Sequence, residues 1–127
     1  MDDLNRSAFY AGVLVIMAVA LALNTAFRRM ETKNALGGDD DTLVKRSRAF
    51  GNLVEHAPLM IILLILMEYG GSEFLVHIFG IGFILSRIAH AYGLIAEEGM
   101  GPDNMPRMIG ALGSLSIMIL ASLVCIF

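Results

Sequence analysis

Ala57-Pro-Leu-Met-Ile-Ile-Leu-Leu-Ile-Leu-Met67 is an unbroken apolar run too short to cross a bilayer unaided. A hydrocarbon core about 30 Å thick takes roughly 20 helical residues, and this run supplies about half of them. A helix that starts near Asp41 or Thr42, either a reasonable N-cap, and runs to Tyr69, where Gly70-Gly71 stops it, is long enough. It spans only if the membrane reaches back past Asn52. Three further stretches have the required length: Ala8 to Phe27, closed by Arg28-Arg29; about Ser72 to Ile95; and about Met105 to Phe127. The chain has 127 residues, 57% hydrophobic and 17% charged, with a mean hydropathy of +0.71. That composition excludes an ordinary soluble domain. The four stretches fill most of residues 1–127 and predict a single all-α domain, an integral membrane four-helix bundle.

Charge sets the orientation. Of nine lysines and arginines, Arg28, Arg29, Lys33, Lys45, Arg46 and Arg48 lie between the first and second spans, whereas the turn from Glu68 to Glu73 holds none. The positive-inside rule puts the first loop in the cytoplasm, both termini outside, and the third loop, Glu97 to Arg107, back on the cytoplasmic face. Gly99, Gly101 and Pro102 break the helix there, and Pro106 suits the first turn of the fourth span. Ala20-Leu21-Ala22 has the small residues of a cleavage site, but Asp2, Asp3 and Arg6 make the leading residues net acidic and the apolar run is long, so the first span is retained.

Several function classes drop out. A net charge of −3 without a dense basic tract gives no electrostatic footprint for nucleic acid. Cys125 is the one cysteine, which rules out an intrachain disulfide. No histidine, cysteine and carboxylate set has transition-metal spacing, and the stretch from Gly37 to Asp41 reads as a solvated acidic loop rather than an EF-hand. Ala18, Ala22 and Ala26 in the first span, and Gly110 and Ser114 in the fourth, recur every fourth residue and suit close helix packing.

Polar residues within the spans carry the functional signal. Placing the membrane past Asn52 puts Glu55, His56 and Asn52 in the hydrocarbon region, where an unpaired charge costs at least ~2.5 kcal/mol. Arg48, Asn52 and Glu55, spaced four and three apart, share one helix face. Arg87 lies about two turns before the cytoplasmic end of the third span, level with Glu55, and an ion pair between Arg87 and Glu55 is expected. His90 follows one turn on, and Arg107 opens the fourth span at the same face. One carboxylate does not need three guanidiniums, and the surplus of fixed donors suits a small anionic ligand entering from the cytoplasm.

The run Arg46-Ser-Arg48-Ala-Phe-Gly-Asn52-Leu-Val-Glu55-His-Ala-Pro58, together with Ser86-Arg87-Ile-Ala-His90 and Pro106-Arg107, resembles the signature of the MAPEG family, membrane-associated proteins in eicosanoid and glutathione metabolism. The resemblance covers essentially the whole chain. It implies a homotrimer of four-helix protomers that binds glutathione in a cytoplasm-facing cleft between subunits. Enzymatic members use the thiolate to conjugate or isomerise lipophilic electrophiles or to reduce lipid peroxides. On the matching positions, Arg48 would hold a carboxylate of the tripeptide, and Asn52 and Glu55 would bind its polar groups. His90 would line the site, Arg87 would pair with Glu55, and Arg107 would stabilise the thiolate. That last role is physically sound, because an adjacent guanidinium lowers the pKa of a thiol that titrates near 8.5 when free.

Three positions depart from the pattern: 51, 94 and 108. Gly51 stands where several enzymatic members carry a further arginine, and Leu94 where some carry a ligand-binding tyrosine. Tyr92 points elsewhere on its helix, and Met108 replaces a hydroxyl residue. The reading favoured is a glutathione transferase or peroxidase of the inner membrane. A non-catalytic relative that binds a lipid or partner is the alternative. A third, from another class, is a small proton-coupled exporter using Glu55, whose carboxylate should then lack an arginine neighbour.

Overall fold

The computed structural model describes residues 5–36, 40–96 and 103–127, and these form four helices: α1 (Asn5–Thr32), α2 (Asp41–Tyr69), α3 (Glu73–Ile95) and α4 (Met105–Ile126). All four are long and apolar enough to cross a membrane. Asp2, Asp3, Gly37 to Asp39 and the helix-breaking residues Gly99, Gly101 and Pro102 lie outside the described residues. At 1.5 Å per residue, α1 and α2 reach about 42 Å and α3 and α4 about 34 Å. The first two therefore outrun the hydrocarbon core. This explains why α1 exceeds the expected Ala8 to Phe27 at both ends: hydropathy marks the apolar part, and the helix continues through polar residues at the interface.

The helix ends show why the chain turns where it does. The N-cap of α2 is Asp40, one residue before Asp41 and two before Thr42, because Asp40 accepts the Leu43 N–H at 2.8 Å. The same carboxylate receives the Arg28 guanidinium through two bonds of 2.8 Å, so a single side chain starts α2 and holds the end of α1. α2 stops at the expected glycine pair: Gly71 takes φ +84°, a left-handed conformation favourable to glycine. The Ser72 N–H then closes back on the Met67 carbonyl at 2.9 Å.

Each helix buries one stripe. On α2 it runs through Leu53, Ala57, Met60, Leu64 and Met67, and on α3 through Val76, Gly80, Phe83, Arg87, His90 and Leu94. The α3 stripe thus changes from apolar to polar toward its C-terminal end. Outward faces carry Ile16, Ile62, Leu85 and Ile119, the distribution expected when lipid is the surrounding medium. α2 and α3 form the centre, α1 packs on α2 and α4 on α3, and α1 and α4 make no contact among the described residues. At the crossing of α1 and α3, the Tyr10 ring lies so close to Gly80 that a Cβ there would stand 2.7 Å away.

At the opposite end from the polar stripe, Glu68 is buried and accepts the backbone N–H groups of Arg6 (2.9 Å) and Ser7 (2.7 Å) and the Ser7 hydroxyl. Arg6 lies 3.7 Å from Glu68 and 2.7 Å from Glu73. These N–H groups belong to the first turn of α1. Glu68→Ala removes the acceptor that they and the Ser7 hydroxyl share, and is expected to lower unfolding free energy in detergent by about 2–3 kcal/mol; an unchanged denaturation midpoint refutes that role.

The Arg28 guanidinium, with help from the Leu43 N–H, holds the Asp40 carboxyl down at about 2, from an ordinary value of 3.8. A depressed folded-state pKa means that this contribution is complete above about pH 4 and is lost as the pH falls through about 2. Asp40→Asn should therefore melt below the native protein at pH 6 and converge with it near pH 2, as followed by circular dichroism in detergent.

Candidate functional site

Three helices bring the polar residues together. Arg48 and Asn52 from the N-terminal part of α2, His90 and Leu94 from the end of α3, and Arg107 from the first turn of α4 line one cavity of about 100 Å³. Four of these five are candidates the sequence singled out. Leu94 also lines it, and brings no hydroxyl where a tyrosine would have offered one. Tyr92 faces instead an apolar cleft between α1 and α3, beside Met17, Leu21 and Ile88. Arg46, although part of the same sequence run, turns to α1, where its guanidinium donates to the Asn24 carbonyl at 3.2 Å.

The expected ion pair between Arg87 and Glu55 does not form. Arg87, 3% exposed, donates to the Ser114 hydroxyl at 2.7 Å, to the Gly110 carbonyl at 3.1 Å and to the Asn52 side-chain oxygen. Glu55 sits instead 3.5 Å from Arg48, with both side chains about half exposed. The reason is angular. At about 100° per residue, Glu55 lies about 200° around α2 from both Leu53 and Ala57, which are buried, so it points away from the core that Arg87 enters. Reasoning from depth placed the two residues on one level and missed their azimuth. The same arithmetic puts Arg48 and Glu55 about 20° apart across two turns. Between them stands Gly51, where a Cβ would lie 3.4 Å from the Arg48 guanidinium and 3.9 Å from the Glu55 carboxylate. A large side chain at 51 would crowd that pair.

Arg87 also fixes what Asn52 can do. An amide offers one acceptor oxygen and one NH₂ donor group. With the oxygen turned to the guanidinium, the NH₂ is the group left to face the cavity. Among the described residues the lining consists of Arg48, Asn52, His90, Arg107 and an apolar wall at Leu94, without a carboxylate. His56 is oriented by its own backbone contact, with Nδ1 2.7 Å from the Asn52 carbonyl.

Close packing brings the helices near enough for this convergence. A Cβ on Gly110 would lie 2.4 Å from the His90 backbone nitrogen, and Ser114, fully buried, accepts from Arg87 while donating to the Gly110 carbonyl at 2.7 Å. The spacing of Gly110 and Ser114 announced a packing face; that it also holds Arg87 did not follow from the sequence. Asn104, the N-cap of α4, is a further residue that sequence reasoning passed over.

The MAPEG family model matches residues 7–127. The inner membrane protein YecN of Escherichia coli strain K12 is 35% identical to this chain over 89 residues, which are 68% of each chain. The protein of the same name from Escherichia coli O6:H1 matches to the same extent.

Arg87→Lys replaces a planar fork that reaches three acceptors by a single ammonium that cannot span them. The expected result is a loss of about 2–4 kcal/mol in unfolding free energy in detergent. Stability equal to that of the native protein would show that the three bonds are dispensable.

Proposed function

This chain belongs to the MAPEG family, and from that premise we propose that it is a glutathione transferase or peroxidase of the inner membrane, working as a homotrimer on lipophilic electrophiles or peroxides. The observation that carries the proposal is the convergence of two guanidiniums, Arg48 and Arg107, with the Asn52 amide and the His90 imidazole around one cavity. Such donors, with no carboxylate among the described residues of the lining and in surroundings of low dielectric, suit an anion. A volume of about 100 Å³ is well below the roughly 300–1,000 Å³ that enclose a whole small molecule. The cavity of one chain would take the charged or sulfur-bearing part of glutathione, and the half-exposed Arg48 and Glu55 would meet the remainder where a neighbouring subunit closes over them.

When bound, glutathione supplies the thiol whose ionised form is the nucleophile, so the protein need not provide a cysteine. Arg107 holds negative charge at the cavity and lowers the energy of the ionised sulfur. Arg48 orients a carboxylate, Asn52 donates its NH₂, and Glu55 accepts from an ammonium or amide. The six lysines and arginines from Arg28 to Arg48, at the end of α1, after it and at the start of α2, favour a cavity that opens to the cytoplasm, with both termini on the far side.

One observation favours a non-catalytic relative as the second reading: Leu94 in the cavity wall, and Met108 next to Arg107 in sequence, bring no hydroxyl. Ionisation of bound glutathione without consumption of any electrophile would select it. Against the exporter stands Arg48, 3.5 Å from Glu55, since a carboxylate that exchanges protons for a cationic substrate should be without such a neighbour.

Calorimetric titration of the detergent-solubilised protein with glutathione, with thiolate followed by ultraviolet absorbance, tests the proposal. Saturable binding is expected, weakened about tenfold or more by Arg48→Ala through loss of a charged hydrogen bond, with thiolate present below pH 8.5. Absence of binding at millimolar glutathione would overturn it.

A further inference from the structure

A helix end leaves carbonyls, and a helix start leaves N–H groups, without partners in their own helix. Asn104 meets one of each. Its Nδ2 donates to the Gly93 carbonyl in the last turn of α3 at 2.7 Å, while its Oδ1 accepts the Arg107 N–H in the first turn of α4 at 3.2 Å. The residue is 4% exposed. Capping α4 alone needs only an acceptor, which serine, threonine or aspartate would provide. An amide adds the donor that reaches back to α3. At the same contact, a Cβ on Gly93 would stand 2.4 Å from the Arg107 backbone nitrogen and 2.7 Å from the Arg107 Cβ. Leu94, the residue after Gly93, and Arg107 are both walls of the cavity. The separation of the two helix ends therefore sets where the Arg107 side chain starts.

We propose that Asn104, seated against Gly93, is a positioning residue for the anion site: it clamps the start of α4 to the end of α3 and so holds Arg107 beside the charge that the site stabilises. The chemical part rests on the glutathione reading above; the placement rests on the contacts alone. Misplacement of such a group by about 1 Å can cost a hundredfold in rate, so a side chain outside the cavity governs the group within it.

Asn104→Ser separates the two bonds, because serine still caps α4 but is too short to reach the Gly93 carbonyl. Gly93→Ala disturbs the same clamp from the α3 side and provides an independent variant. Amide hydrogen exchange of the full-length protein in detergent, without glutathione, should quicken about tenfold in the last turn of α3 and the first turn of α4, with the middle of the bundle unchanged. With glutathione, the thiolate should titrate about one pH unit higher than in the native protein, while affinity changes less than with Arg48→Ala. Adding Arg107→Ala to Asn104→Ser should produce a smaller rise than Arg107→Ala produces alone. Unchanged exchange at both helix ends overturns the placement whatever glutathione does. Faster exchange with an unchanged thiolate titration overturns the link to Arg107. Failure of the native protein to bind glutathione defeats the functional reading instead, and the exchange arm still decides the clamp.

Discussion

The Arg87 guanidinium, buried at membrane depth, directs its donors to one oxygen on α2 and two on α4, and most of the polar architecture follows from that choice. A charge in the hydrocarbon region has to be satisfied by protein, and here neutral oxygens do it. The helices must therefore approach closely enough for a backbone carbonyl at Gly110 to be reached, which small residues on α4 permit. The positive charge itself is left uncancelled. Asn52 is turned by it, with its oxygen toward Arg87 and its NH₂ left for the cavity. Packing and recognition at this level are thus one arrangement.

The four spans were legible because lipid demands length, and length is what an apolar run displays. The polar residues of the site were legible for a related reason: Arg48, Asn52, Arg87 and His90 are costly where they stand, and cost draws attention to them. Direction around the helix was the weak link. Buried Leu53 and Ala57 would have revealed that Glu55 faces away from Arg87, had the core stripe of α2 been drawn before the pair was assigned. Asn104 and Glu68 gave no such signal. Each sits at a helix end among other polar residues, and what distinguishes it is a partner distant in sequence: Gly93 for the first, and Arg6 and Ser7, more than sixty positions away, for the second.

The two ends of the bundle solve opposite problems. At one, a carboxylate from α2 receives the N–H groups that begin α1, where the helix dipole favours negative charge. At the other, Arg87 is met by neutral oxygens, and Arg48 and Arg107 line a cavity. One end of the bundle is thereby closed on a buried carboxylate, and the other opens at a cavity edged by guanidiniums.

Arg48 and Glu55, laid along one face of α2 across Gly51, set opposite charges 3.5 Å apart with both side chains about half exposed. A ligand of the kind proposed above would meet both. A zwitterion could trade partner for partner, its anion taking Arg48 and its cation taking Glu55, whereas a simple anion would leave Glu55 to water. The resting ion pair would thus tilt the site, by no more than the small worth of an exposed pair, toward ligands that carry both charges.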